Sequence, residues 1–159
     1  MVALIRLYND KILKYNPDIT KDWWLYDTGS PVHIANNTTK FINLEYTKNL
    51  QPLLTGHGYI KPTGIGTIIL PIRYNTTKQP ITLNNALYIP EFPLNLVSAQ
   101  EHHRSGGSIN DNQLLDNNNN IITEFDYKYS GYFLPIQNQI KPKLKLLNYK
   151  NKRKFDFLT

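Results

Sequence analysis

The stretch WWLYDTGS, residues 23–30, runs four large apolar residues directly into a carboxylate. The apolar run is typical of a β-strand, and Asp27 follows it. A carboxylate at such a position is costly to bury unless hydrogen bonds or a shared proton stabilise it. Gly29 permits a sharp turn that brings backbone N–H groups towards the acid, and Thr28 and Ser30 add hydroxyl donors. The stretch therefore predicts a strand that delivers Asp27 to a partly dry site.

Taken alone, residues 27–30 favour a simpler interpretation. Asp and Gly are common in turns that follow strands, so a tetrapeptide of this kind is more often a plain turn than part of an active site. The choice between the two interpretations depends on whether the rest of the chain supplies the other parts of such a site.

Composition restricts the class of protein. The chain has 159 residues, enough for one domain with a core and too few for two of ordinary size. It contains no cysteine, which excludes disulfides, thiolate zinc sites and a catalytic thiol. The histidines lack a metal-binding spacing, so no metal is predicted, and His33 is expected to pack or hydrogen-bond near the Asp27 turn. Trp23 and Trp24 are expected to be core or dimer contacts.

Basic residues are concentrated near the C-terminus. Residues 141–159 carry 7 of the 18 Lys and Arg residues and 1 of the 12 acids, which leaves 11 of each sign in residues 1–140. The cluster at 141–154 predicts either a weak nucleic-acid contact or a solvated linker. Charged residues interrupt the apolar N-terminus, so neither a signal peptide nor a membrane span is predicted. A cytoplasmic location is the default, with the nucleus as the alternative.

Short apolar runs alternate with turn residues along most of the chain and predict an all-β fold class. The candidate strands are 22–27, 31–35, 40–44, 49–54, 58–62, 65–74, 80–89, 94–98, 107–110, 113–116, 120–125 and 131–136. The pair Asn84-Asn85 predicts a turn, and the Asn-rich segment 116–120 predicts a hairpin loop. Helices are predicted only at 3–15 and 98–104, the second with Ser98 as N-cap.

Further motifs follow the Asp-Thr-Gly segment in a fixed order. They are Gly56-His57-Gly58, GIGTIIL at 64–70, ALYIP at 86–90 and NLVS at 95–98. Together with WLYDTG and His33, they resemble the protease segment of copia-type retrotransposon polyproteins over about residues 22–136. Such retropepsin-like aspartic proteases place Asp-Thr-Gly or Asp-Ser-Gly after an apolar strand.

The resemblance implies a retropepsin-like acid protease barrel with one short helix for residues 22–137. An N-terminal extension (1–21) precedes this domain and a basic tail (138–159) follows it. A bracing strand at 96–98 is implied beside the catalytic loop. The residues implied for the catalytic loop are Asp27, Thr28, Gly29 and Ser30, and those implied for a flap over the substrate are Gly56, His57, Gly58 and Tyr59.

The chain departs from the family pattern in three places. Ser30 stands where copia-type proteases usually have Ala, and His57-Gly58 stands where they often have Asp-Gly. Ser98-Ala99-Gln100 stands where retroviral proteases have Gly-Arg-Asn or Gly-Arg-Asp, so no arginine-based contact between subunits is predicted. None of these differences removes the acid.

Aspartic protease chemistry needs two carboxylates that share a proton, whereas the chain has one Asp-Thr-Gly. The resemblance therefore implies a homodimer in which Asp27 of each copy meets the other at a twofold axis and activates a water. The implied substrate is a polypeptide, its own Gag-Pol-like polyprotein. No cofactor is needed, and a virus-like particle is a further implied location. The alternative is a catalytically silent relic, kept as a dimeric interaction module that touches nucleic acid through its tail.

Overall fold

The computed structural model describes residues 20–55, 58–128 and 131–137. These residues are mainly β, with one α-helix and two short 3-10 helices, which confirms the predicted all-β class. The strands are β1 (Trp24–Asp27), β2 (Ile34–Ala35), β3 (Phe41–Tyr46), β4 (Leu53–Thr55), β5 (Gly58–Ile60), β6 (Gly64–Leu70), β7 (Ile81–Tyr88), β8 (Asn95–Ser98), β9 (Ser108–Asn110), β10 (Gln113–Leu115), β11 (Ile121–Glu124), β12 (Asp126–Lys128) and β13 (Gly131–Phe133). The helices are α1 (Ala99–Arg104) and the 3-10 helices Thr20–Asp22 and Thr38–Lys40.

Eight strands form one sheet in the order β12-β13-β1-β8-β2-β7-β6-β3. A three-stranded sheet, β11-β10-β9, and the hairpin β4-β5 lie outside it. The large sheet ends at β12 and β3, which do not pair with each other in the described part of the chain, so the barrel implied for residues 22–137 is not closed there. Closure requires the edge strands to pair along their length, and β12 offers only 3 residues.

The first strand is buried on both faces of the sheet. Alternate side chains of a strand point to opposite faces. Trp24 and Tyr26 therefore enter one apolar cluster, which β10 and β11 of the small sheet help to form. Trp23 and Leu25 enter a second cluster on the other face. Both tryptophans are core residues, which agrees with one of the two roles predicted for them.

The strand β8 lies between β1 and β2, although it follows both in the chain. It runs parallel to β1, with Trp24 opposite Asn95 and Asp27 opposite Ser98. It runs antiparallel to β2. All four residues of β8 are buried. Because β1 and β8 are parallel and in register, their ends bring Asp27 beside Ser98.

The predicted turn at Asn84-Asn85 is wrong, because β7 continues through both residues. Asn85 has a φ of 55°, a left-handed conformation that Asn tolerates better than most residues. The pairing of β6 with β7 shifts register between Gly66 and Ile68. The Asn pair therefore distorts the strand as a bulge and does not end it.

Two local predictions are confirmed. The segment at 98–104 contains α1, and Ser98 Oγ caps it by accepting a hydrogen bond from the backbone N–H of Glu101 at 3.1 Å. The loop 116–120 joins β10 to β11, and Asp116 accepts backbone N–H bonds within it. The predicted helix at 3–15, nearly all of the N-terminal extension and the basic tail lie outside the described residues. In the described part of the chain, no helix is long and apolar enough to cross a membrane.

Candidate active site

The carboxyl group of Asp27 is buried at the end of β1. The residue is 2% exposed. Its Oδ1 accepts a hydrogen bond from the backbone N–H of Gly29 at 3.0 Å. Its Oδ2 is buried and has no hydrogen-bond partner among the described residues. The turn thus fixes one oxygen, while the other keeps unused hydrogen-bonding capacity among the described residues of a buried site.

Burial also changes the acidity of this group. Desolvation raises the pKa of Asp27 above its ordinary value, and the backbone N–H groups of Gly29 and Ser30 lower it by less. Burial acts in this direction because it disfavours the charged form. A carboxyl group with a raised pKa can keep a proton in mild acid and donate it during a reaction.

The turn that follows Asp27 is fastened to β8 by one residue. Ser98 Oγ donates a hydrogen bond to the carbonyl oxygen of Ser30 at 2.6 Å. The backbone N–H of Ser98 donates to Nδ1 of His33 at 2.9 Å, so His33 hydrogen-bonds beside the turn as predicted. Within the turn, Ser30 Oγ donates to the carbonyl oxygen of Val32 at 2.6 Å. Both ends of the segment 30–33 are therefore tied to Ser98.

A buried asparagine fixes the other end of the parallel pair. Asn95 Nδ2 donates to the carbonyl oxygens of Lys21 at 2.8 Å and Trp23 at 3.1 Å. Its Oδ1 accepts a hydrogen bond from the backbone N–H of Asn36 at 3.0 Å. A buried amide is tolerated where its donors and its acceptor are all used. Asn95 thereby helps to fix the register of β8 against β1, and this register places Ser98 opposite Asp27.

The hairpin β4-β5 carries the part of the predicted flap that the structure describes. Leu54 and Tyr59 face each other across the hairpin and are 63% and 76% exposed. Their neighbours Leu53 and Ile60 pack on the apolar cluster that also receives Val32 of the Asp27 turn. The hairpin therefore has one face anchored on the same cluster as the turn and one face with large side chains in solvent.

The predicted loop residues lie together, and the flap residues are only partly described. Thr28 is exposed, Gly29 is partly exposed and Ser30 is buried beside Asp27. Gly58 and Tyr59 lie in β5, whereas Gly56 and His57 lie outside the described residues. Across the described ranges, no His, Asp or Glu side chains are grouped as a metal site.

Sequence reasoning missed how two polar residues of β8 hold the site. It placed residues 96–98 in a bracing strand beside the Asp27 loop, and the pairing of β8 with β1 agrees with that placement. It did not predict the hydrogen bonds by which Ser98 and Asn95 hold the site. The available signal was the composition of NLVS, in which polar residues flank an apolar pair. If such a strand is buried, its polar side chains must find hydrogen-bond partners.

The comparison with known families bears on this same region. The family described as Pol polyprotein, beta-barrel domain, matches residues 24–107, slightly more than half of the chain. The chain belongs to this family. In this Pol beta-barrel domain the matched range begins with β1 and ends just after α1, so it includes Asp27, the β4-β5 hairpin and β8. Membership indicates an origin in the Pol region of a retroelement. Searches of curated proteins and of solved structures found no match.

Proposed function

We propose that this Pol beta-barrel domain is an aspartic endopeptidase of the copia-type, retropepsin-like class, and that it cleaves the polyprotein from which it derives. The observation that carries the proposal is the state of Asp27. One of its oxygens is held by Gly29 N–H, the other has no partner among the described residues, and burial raises its pKa. These properties suit a carboxyl group that shares a proton with a second acid.

The second acid comes from a second copy of the chain. In the dimer, the ionised Asp27 takes a proton from a water molecule, whose oxygen attacks the scissile carbonyl carbon. The protonated Asp27 of the other copy donates its proton to the carbonyl oxygen. The tetrahedral intermediate then collapses and the C–N bond breaks. The first Asp27 gives the proton taken from water to the amine nitrogen, and a hydroxyl of the intermediate returns a proton to the other Asp27. The exposed position of Thr28 beside Asp27 supports a contact between the two loops at the twofold axis.

The β4-β5 hairpin is the proposed flap over the substrate. Its exposed Leu54 and Tyr59 are large enough to cover an extended peptide, and its inner face is anchored near the Asp27 turn through Leu53 and Ile60. Asp27 is 2% exposed in the single chain, so access to it requires an opening movement near the turn. Cytoplasm or a virus-like particle is the proposed place of action, because the polyprotein substrate would be found there.

The catalytic role is tested with purified chain and an unstructured peptide or its own precursor. Asp27→Asn should lower the cleavage rate by at least ~100-fold, because the amide cannot take the proton from water. Asp126→Asn removes an exposed carboxylate from β12 and is the matched control, which should cleave like the unchanged chain. Equal cleavage by the Asp27→Asn variant would refute the assignment.

The need for two copies is tested by mixing. An equimolar mixture of unchanged and Asp27→Asn chains, equilibrated at constant total protein, should show about a quarter of the original rate, because only about a quarter of random dimers contain two acids. A monomeric enzyme would show about half. If the unchanged chain forms dimers but does not cleave, the alternative function, a catalytically silent interaction module, is favoured over the protease.

A further inference from the structure

The Asp27 turn depends on two hydrogen bonds donated by a single buried residue. Ser98 uses its hydroxyl to hold the carbonyl oxygen of Ser30 and its backbone N–H to hold Nδ1 of His33. The same hydroxyl accepts from Glu101 N–H, so its one proton is committed to Ser30. The position of Ser98 relative to the turn is therefore fixed on one side by Ser30 and on the other by His33.

The bond to His33 determines the protonation state of that ring. A backbone N–H can only donate, so Nδ1 of His33 must be unprotonated and the ring must be neutral with its proton on Nε2. His33 is 5% exposed. A proton added to Nδ1 would remove the acceptor, oppose the Ser98 N–H with another donor and place a charge in a buried site.

We propose that His33 is a positioning residue, which keeps the Asp27 turn in place by accepting the Ser98 N–H, and that protonation of His33 releases the turn and sets the acid limit of the site. The inference rests on the proposed protease function for its activity readout. His33 does not touch the reacting atoms in this proposal, since it acts through Ser98 and Ser30.

The charged and titratable groups around His33 agree with a neutral ring. Burial and, to a smaller extent, repulsion from His102 of α1 together lower the pKa of His33 from 6.5 to about 4. Burial also lowers the pKa of His102, and His103 follows it on the same helix. Asp27 begins the turn, and burial raises its pKa as well.

The sign of the pH effect follows from these values. The unfolded chain binds a proton on His33 at about pH 6.5, whereas the folded chain resists it until about pH 4. The stabilising contribution of the neutral ring is present above pH 6.5 and is lost as the pH falls from about 6.5 to about 4. The folded turn should loosen near the lower end of this range.

Two variants distinguish the role of His33 as a hydrogen-bond acceptor from the effect of protonating its ring. His33→Asn can present its Oδ1 where Nδ1 lies and cannot be protonated in this pH range, whereas His33→Leu retains bulk without an acceptor. In the full chain, His33→Leu should lower kcat by about 10-fold or more with little change in KM, because the acid is misplaced while the β4-β5 hairpin over the substrate is unchanged. His33→Asn should restore kcat relative to His33→Leu and shift the acid limb of the pH profile below that of the unchanged chain.

A second measurement does not require activity. Thermal unfolding of the same three chains between pH 7 and pH 4 should show a steeper loss of Tm for the unchanged chain than for His33→Asn. If the unchanged chain does not cleave any substrate, the proposed function fails and this unfolding series still tests His33. The proposed role of His33 is overturned if His33→Leu has the same kcat and the same acid limb of the pH profile as the unchanged chain. It is also overturned if Tm falls equally with pH in all three chains.

Discussion

At the scale of a single residue, Asp27 is suited to chemistry at the expense of stability. A buried carboxylate with one oxygen that has no hydrogen-bond partner among the described residues is costly when ionised, because burial removes much of the solvation that would stabilise the charge. The raised pKa of Asp27 expresses this cost. The folded chain binds the proton more tightly than the unfolded chain, so the contribution of Asp27 to stability falls as the pH rises above the ordinary value of 3.8.

The same Asp27→Asn variant that tests catalysis should therefore be more stable than the unchanged chain at pH 7. The amide keeps the hydrogen bond from Gly29 N–H and carries no charge. The difference in Tm should shrink as the pH is lowered towards 3.8, where the carboxyl group becomes protonated in both folded and unfolded chains. Thermal unfolding at both pH values measures it. A variant that is less stable at pH 7 would show that another group neutralises the charge.

The position of Asp27, at the end of a buried strand and the start of a turn, could be predicted from sequence because it depends on neighbouring residues. The strand, the glycine and the hydroxyl residues lie within WWLYDTGS, and the Gly29 N–H contact spans only two positions. The bracing strand at 96–98 was implied by the family resemblance and not by a local pattern. The hydrogen bonds of Ser98 and Asn95 could not be predicted, because their partners lie 59 to 74 positions away. No pattern in one sequence states which strands will be neighbours.

At the scale of elements, the N-terminus of α1 and the candidate active site share one hydroxyl. Ser98→Ala removes the helix cap, which costs about 1 kcal/mol, and leaves the buried Ser30 carbonyl without a partner, which costs about 1–3 kcal/mol more. The free energy of unfolding should fall by about 2 kcal/mol or more, measured by chemical denaturation. Ser105→Ala is the matched control, since it removes an exposed hydroxyl at the C-terminal end of α1 and should cost less than about 0.5 kcal/mol. Equal losses in the two variants would contradict this role for Ser98.

Most strands and the described helix were predictable because their signals repeat within a few residues. The cap at Ser98 and the loop at 116–120 have characteristic local sequences, and both are confirmed. The Asn84-Asn85 pair misled the prediction because Asn is common both in turns and in bulges. The long pairing of β6 with β7 decided between these, and it depends on residues from both strands.

At the scale of the whole molecule, the tail and the domain differ in net charge: the tail is strongly basic and the rest of the chain is neutral. Removing residues 138–159 takes away 7 basic residues and 1 acid and brings the formal net charge from +6 to zero. If the tail binds nucleic acid, the full chain should be retained on immobilised DNA at low salt and released as salt rises, while the chain ending at 137 is not retained. A variant with the basic tail residues replaced by Gln keeps the length and tests charge alone. Equal retention of all three chains would place any binding elsewhere.

The overall architecture was the least predictable level. Apolar periodicity indicated many strands. That the described part of the sheet ends at β12 and β3 depends on how far neighbouring strands extend beside one another. The proposed dimer would likewise be a property of two surfaces, which a single Asp-Thr-Gly motif implies through chemistry and not through shape.

The insertion of β8 between β1 and β2 also has a consequence for the order of synthesis. Residues 24–27 leave the ribosome well before residues 95–98, which form their parallel neighbour. At roughly 5–20 residues per second, the first strand waits several seconds for that neighbour. During this interval Ser98 does not yet exist, so the turn that holds Asp27 has no support. Under the proposed function, a domain translated as part of a polyprotein would be unable to cut the chain that carries it until β8, the sixth of the eight strands of its large sheet, had emerged.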